Sequence, residues 1–266
     1  MYKRKNDNRG GNYMIKQKDI RILKNNREIY GTLTEPDNME SCPAVIFSHG
    51  YNGSGRDFEK MAVYLAENGV ASFCYDFCGG SVNSRSSMAT TEMTIFTEKE
   101  DLHGVVDYIR SCSNIESGNI FIFGGSQGGL VSALVTEEIK DEVRGLILLF
   151  PAMCIADDWN ERFPNKEDIP EIQELWGMNL GRKFFETLRG FDVYKNIGAY
   201  KGKVQVIYGE NDPIVSLDYM ERLKGVYSDI KLDIFKNEGH GFSEEGNKRV
   251  AEMILEFVNA NKNNYF

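Results

Sequence analysis

A serine framed by glycines stands at 124–129, Gly124-Gly125-Ser126-Gln127-Gly128-Gly129, with the apolar run IFIF at 120–123 before it and LVSALV at 130–135 after it. The pattern G-x-S-x-G carries chemistry when a strand precedes it and a helix follows, and both flanks fit. Turning from strand to helix at one residue forces the serine into strained backbone angles. Side chains two residues to either side would collide, and glycine removes the collision. The hydroxyl then stands out at the sheet edge over a helix N-terminus, where the dipole favours a developing negative charge.

A serine hydroxyl is a weak nucleophile and needs a base. The chain has three histidines. His49 lies in a Gly-flanked loop after an apolar strand, and His103 sits inside an amphipathic helix beside Leu102 and Val105. His240, in NEGHGF, follows the last expected strand, which makes it the best candidate base. The acid that orients it should fall between serine and histidine in chain order. Asp212 in YGENDPIV meets that condition just past a strand end. Glu210 and Asp192 are weaker competitors, and Asp76 is out of order and reads as structural. Two main-chain N–H groups must hold the oxyanion. One is expected from Gln127 and the other from Tyr51, in the HGYNGSG loop.

These residues need a scaffold that brings distant strand ends together. DIRILK (19–24) and EIYGTLTE (28–35) read as an antiparallel hairpin around Asn-Asn. Then strands PAVIFSHG (43–50), VASFCYDF (70–77), NIFIFGGS (119–126), RGLILLFPA (144–152), KVQVIYGEND (203–212) and IKLDIFKNEGHG (230–241) alternate with helical patterns at 56–69, 97–112, 127–140, 217–227 and about 244–261. Continuous apolar strands separated by helices mean β-α-β units and a parallel sheet covered on both faces. Ligands bind such sheets at the carboxyl ends of the strands, where Ser126, Asp212 and His240 all fall. The stretch 153–200 breaks the rhythm, with no clear strand–helix unit and many aromatic residues. Leaving from a strand's carboxyl end, it reads as a lid insertion; flanking helices packed on the sheet are the alternative.

Composition narrows the function class. The 266 residues are 41% hydrophobic and 27% charged, and 40 acidic against 31 basic side chains give a formal charge of −9. An acidic surface repels a phosphate backbone, so nucleic acid is not an expected partner. No stretch approaches the ~18 apolar residues of a membrane span, and the polar, basic start lacks the apolar core of a signal peptide. Residues 1–17 read as a disordered tail or an added, non-native leader. Cys42, Cys74, Cys78, Cys112 and Cys154 form an odd, scattered set, read as reduced core thiols of a cytoplasmic protein. The Cys74/Cys78 pair has no second pair near it, so neither a metal nor another cofactor is expected. A homodimer is compatible with the composition.

From about residue 18 onward the chain resembles the α/β-hydrolase superfamily, and more narrowly the bacterial cinnamoyl/feruloyl esterases. The resemblance is carried by HGYNGSGRDFEKMAVYLAENGVASFCYDFCGGSVNS, GGSQGG, GENDPIVS and EGHGF. The elbow of that group reads G-H-S-Q-G-G, whereas Gly125 here replaces the histidine. The resemblance implies an α/β fold: a mostly parallel central sheet of about eight strands flanked by helices, with a lid insertion after the sixth. It implies a core over 18–152 and 201–266 and a lid over 153–200. Its catalytic triad maps onto Ser126, Asp212 and His240, and its oxyanion donors onto Tyr51 and Gln127. An acidic residue early in the lid contacts a substrate phenol in that group; Asp158 is the nearest match, beside Asp157, with the aromatic Trp159 next to it.

The expected activity is therefore that of a serine carboxylic-ester hydrolase working through an acyl-enzyme, on aromatic hydroxycinnamoyl or feruloyl-type small-molecule esters. A serine peptidase, thioesterase or acyltransferase keeps the same residues with a different bond or acceptor. A catalytically inactive hydrolase fold used as a binding module is the alternative outside enzymology.

Overall fold

Strand pairing opens with a hairpin, β1 (Ile15–Lys24) against β2 (Arg27–Pro36). Its two-residue turn, Asn25-Asn26, has φ of 49° and 60°, a left-handed pair that asparagine tolerates well. A computed structural model describes residues 13–263. The tail expected over 1–17 therefore lies, through residue 12, outside the described residues, while Ile15-Lys16-Gln17 already belong to β1.

Next come β3 (Cys42–Ser48), β4 (Ala71–Tyr75), β5 (Ile115–Gly125) and β6 (Gly145–Leu149). A separate short hairpin, β7 (Ile172–Leu175) and β8 (Met178–Gly181), precedes β9 (Lys203–Gly209) and β10 (Ile230–Phe235). The main sheet has eight strands in the order β1-β2-β4-β3-β5-β6-β9-β10. Every pair from β4 to β10 is parallel; β2 joins antiparallel to both β1 and β4.

Strict alternation along the central strands divides the core. Val45 and Phe47 of β3, with Phe121 and Phe123 of β5, face helices α1 (Glu59–Glu67) and α7 (Glu244–Asn261). Ala44 and Ile46, with Ile120 and Ile122, face α2 (Ile95–Ser111) and α3 (Gln127–Glu138). Each fully buried valine, isoleucine or phenylalanine among these contributes about 1.5–3 kcal/mol, against at most ~1 kcal/mol for a typical surface ion pair. Apolar burial on both faces, not surface charge, therefore holds the strand ends in place. Four of the five cysteines are buried in this interior as free thiols.

The insertion after β6 is more ordered than its sequence suggests. It contains α4 (Ile155–Arg162), the β7–β8 hairpin and α5 (Arg182–Leu188), all placed above the sheet's carboxyl edge. The remaining helix, α6 (Leu217–Lys224), packs on β9 and β10. Among the described residues no helix is long and apolar enough to cross a membrane.

Candidate active site

At the end of β5 the chain turns into α3 through Ser126, whose φ of 52° and ψ of −120° lie where L-residues are strained. The glycines around it answer to sterics. A Cβ on Gly124 would sit 2.3 Å from the Gly128 carbonyl oxygen, and one on Gly128 would sit 2.3 Å from the carbonyl oxygens of Ser48 and His49. Gly125 is different: its Cβ would meet the Phe58 ring at 3.3 Å. Phe58 is itself packed against Phe47 and Phe123, at 5.4 and 5.1 Å between centroids. Any side chain at 125 would require the Phe58 ring to shift by a few tenths of an ångström.

The three residues expected to act together do meet. Ser126 Oγ lies 2.8 Å from His240 Nε2, and His240 Nδ1 lies 2.8 Å from Asp212 Oδ2. The second oxygen of Asp212 accepts from the Ile214 and Val215 N–H groups at 2.8 and 2.9 Å. Burial pushes the Asp212 carboxyl up, but His240 and these two N–H groups outweigh it and hold the group below the usual carboxylate range. An ionised Asp212 fixes the proton on Nδ1 and leaves Nε2 facing the serine as an acceptor. The acid and base loops are tied as well: the Asn211 N–H donates to the Glu238 carbonyl at 2.8 Å. Glu238 also accepts from the Ser243 N–H at 2.8 Å, and Ser243 caps α7.

The competitors fall elsewhere. Glu210 is exposed, and Asp192 caps a short helical turn and pairs with Lys195 at 3.2 Å. His49 is fully buried; its Nε2 accepts from the Phe77 N–H at 2.9 Å, so Nδ1 carries the proton and donates to the Gly50 carbonyl at 2.7 Å. Burial lowers its pKa, which keeps the ring neutral. His103 bonds Glu138 at 2.7 Å on the surface of α2. Asp76 is structural: Arg85 grips it at 2.7 and 2.8 Å, and the Gly55 N–H donates to it at 2.9 Å.

The two residues expected to supply oxyanion donors lie beside the serine. Among the described residues, neither the Tyr51 nor the Gln127 N–H has a hydrogen-bond acceptor. Both residues line the same cavity as Ser126, and a Cβ on Gly50 would lie only 3.1 Å from Ser126 Cβ. The Tyr51 side chain does something sequence reasoning missed. Its hydroxyl donates to the Leu175 and Met178 carbonyls, at 3.0 and 3.2 Å, across the tip of the β7–β8 hairpin. Asn52 adds a bond from Nδ2 to the Trp176 carbonyl at 3.2 Å. The oxyanion loop and the hairpin tip are thus clamped to each other.

A cavity of about 370 Å³ opens at Ser126 and His240, the low end of the range for small-molecule sites. Ile155, Asp158, Trp159 and Arg162 of α4 form one wall; Trp176 at the hairpin tip and Phe184 of α5 form another. Asp158 and Trp159 therefore line the cavity. Asp157 faces away from it, bonded to the Tyr219 hydroxyl at 3.1 Å. Among the described residues no cluster of His, Cys, Asp and Glu is arranged to hold a metal.

The same architecture recurs in solved structures. Est1E from Butyrivibrio proteoclasticus, solved with ferulic acid bound, superposes with a TM-score of 0.83 at 24% identity, over 91% of this chain and 98% of that one. The structure of DcsB in complex with its substrate analogue gives 0.77 at 17% identity, over 93% and 100% of the two chains. Among curated proteins, the mouse (Mus musculus) monoacylglycerol lipase ABHD6 is 19% identical over 81% of this chain and 75% of its own. The uncharacterized peptidase YtmA of Bacillus subtilis (strain 168) is 18% identical over 90% of this chain and 91% of its own. Residues 40–190 match the family described as serine aminopeptidase, S33, and with more than half of its length so matched the chain belongs to that family, as a serine hydrolase of the α/β-hydrolase fold.

Proposed function

We propose that the protein is a carboxylic-ester hydrolase that works through an acyl-enzyme on Ser126 and prefers esters with a flat aromatic acyl group. The observation that carries this reading is the unbroken chain Ser126 Oγ–His240–Asp212, 2.8 Å at each step, at the mouth of an aromatic-walled cavity. His240 takes the serine proton as Oγ attacks the ester carbonyl. Asp212 stabilises the imidazolium, and the Tyr51 and Gln127 N–H groups hold the oxyanion. His240 then protonates the departing alcohol, and later takes a proton from the water that clears the acyl group.

The walls support the aromatic preference. Trp159 stacks on Phe163 with ring planes 11° apart and meets Phe185 edge-on, so its indole is braced as a flat wall. Est1E, which shares the fold, binds ferulic acid. In this reading 153–200 is a lid over the site, and Asp158 accepts from a phenolic hydroxyl on the acyl group.

Asp158 also favours a second reading. Among the described residues no cation pairs with its carboxylate, so it could receive the free α-ammonium of an aminoacyl amide. A panel of methyl ferulate, short aliphatic nitrophenyl esters and aminoacyl amides decides between them. The ester reading expects the highest kcat/KM on methyl ferulate; preference for aliphatic esters removes the aromatic assignment, and preference for the amides establishes the peptidase.

A further inference from the structure

Beneath the site lies a carboxyl group that the reaction described above does not use. Glu98, on the first turns of α2, is only 1% exposed. Gln127 Nε2 lies 2.9 Å from each of its oxygens. Gln127 lines the cavity beside Ser126, and its main-chain N–H is one of the two proposed oxyanion donors. On its other side Glu98 packs on Gly80, where a Cβ would come within 3.2 Å of Oε1. The Gly80 carbonyl accepts from the Asn52 N–H at 3.0 Å, next to the second expected oxyanion donor, Tyr51. One buried carboxyl therefore braces the supports of both donors.

Its charge state follows from what surrounds it. Asp101 lies one turn along α2, and His49 and Tyr75 approach from the sheet. Among the described residues no cation pairs with Glu98. The nearby guanidinium, Arg27, is spent on Asp101 at 3.0 Å and Glu100 at 2.9 Å. Burial pushes the Glu98 carboxyl well above the usual carboxylate range, and Asp101 adds to the rise against the Gln127 amide. A negative charge here would stand, unneutralised, behind the hole in which an oxyanion must form.

We propose that Glu98 is a positioning residue for the oxyanion hole: its buried carboxyl holds the Gln127 side chain and through it the Gln127 N–H. The proposal rests on Ser126 being the nucleophile. A glutamine here keeps a carbonyl oxygen to accept from Gln127 Nε2 and introduces no charge, so it should largely replace the acid. A side chain without hydrogen-bonding groups should not, since it leaves the Gln127 amide buried and unpaired.

The test compares Glu98→Gln and Glu98→Leu with the parent enzyme on methyl ferulate, or on the best ester of the panel. Glu98→Gln is expected to keep kcat within about threefold from pH 6 to 8. Glu98→Leu is expected to lose about 10–100-fold in kcat with KM nearly unchanged, part of the 10²–10³ that loss of a whole oxyanion donor costs. An infrared band of a protonated carboxyl, present in the parent at neutral pH, is expected to vanish in Glu98→Gln. The infrared comparison stands even if Glu98→Leu fails to fold. Glu98→Gln as slow as Glu98→Leu with unfolding temperature unchanged, full kcat in Glu98→Leu, or no such band would each overturn the proposal. Fluorophosphonate labelling of Ser126 in the parent separates these failures from a misassigned nucleophile.

Discussion

Asp212 and Glu210 stand two residues apart on one loop, yet only one can do the acid's work. Asp212 reaches His240 Nδ1 at 2.8 Å and has its other oxygen filled by two N–H groups, whereas Glu210 is exposed. Replacing Asp212 by asparagine frees the imidazole to adopt the wrong tautomer, which should lower kcat on the order of 10⁴. Glu210→Gln should change kcat less than about threefold, as a surface change away from the reacting atoms. Steady-state kinetics on one ester checks both, and a reversal would move the acid to Glu210. The hydrogen-bonded chain Ser126–His240–Asp212 was readable because its three members follow three different strands in a fixed chain order. The Glu98–Gln127 pair was not. In sequence an acid on an amphipathic helix looks like a solvated face, and only packing against α3 reveals that Glu98 is inside.

Between the residue and the fold lies the β7–β8 hairpin. Its strands are four residues each, IQEL and MNLG, with little β-branched character, and its turn is Trp176-Gly177 rather than Asn-Gly. That is why 153–200 read as irregular. The turn is nonetheless a two-residue one with φ of 45° and 80°, as a tight hairpin requires. Its tip is held by the Tyr51 hydroxyl and the Asn52 amide, so an element that lines the cavity is bonded to the loop proposed to supply an oxyanion donor. Tyr51→Phe removes only the hydroxyl and should release the tip. Hydrogen exchange over 172–181 should speed up, and kcat should fall by about tenfold while the fold persists. Unchanged exchange with unchanged kcat would mean that the clamp plays no part in turnover.

For the molecule as a whole, the alternation of continuous apolar strands with helices was enough to foresee a parallel sheet with its ligand edge at the carboxyl ends. The closing helix, expected over about 244–261, is Glu244–Asn261, because Ser243 caps it at a position any reader of the sequence could mark. Strand order was not written in the same way: β2 inserts next to β4 rather than beside β3, a choice made by packing. What the fold achieves is to bring residues 126, 212 and 240 to one edge, and to hold a strained serine there by steric necessity at Gly124 and Gly128. We propose this serine as the nucleophile. Intact-mass spectrometry of the protein after fluorophosphonate treatment, followed by peptide mapping, decides whether it is. A single adduct on Ser126, absent from a folded Ser126→Ala variant that no longer turns over ester, is the predicted result. An adduct on another residue, or ester turnover retained by Ser126→Ala, would contradict it.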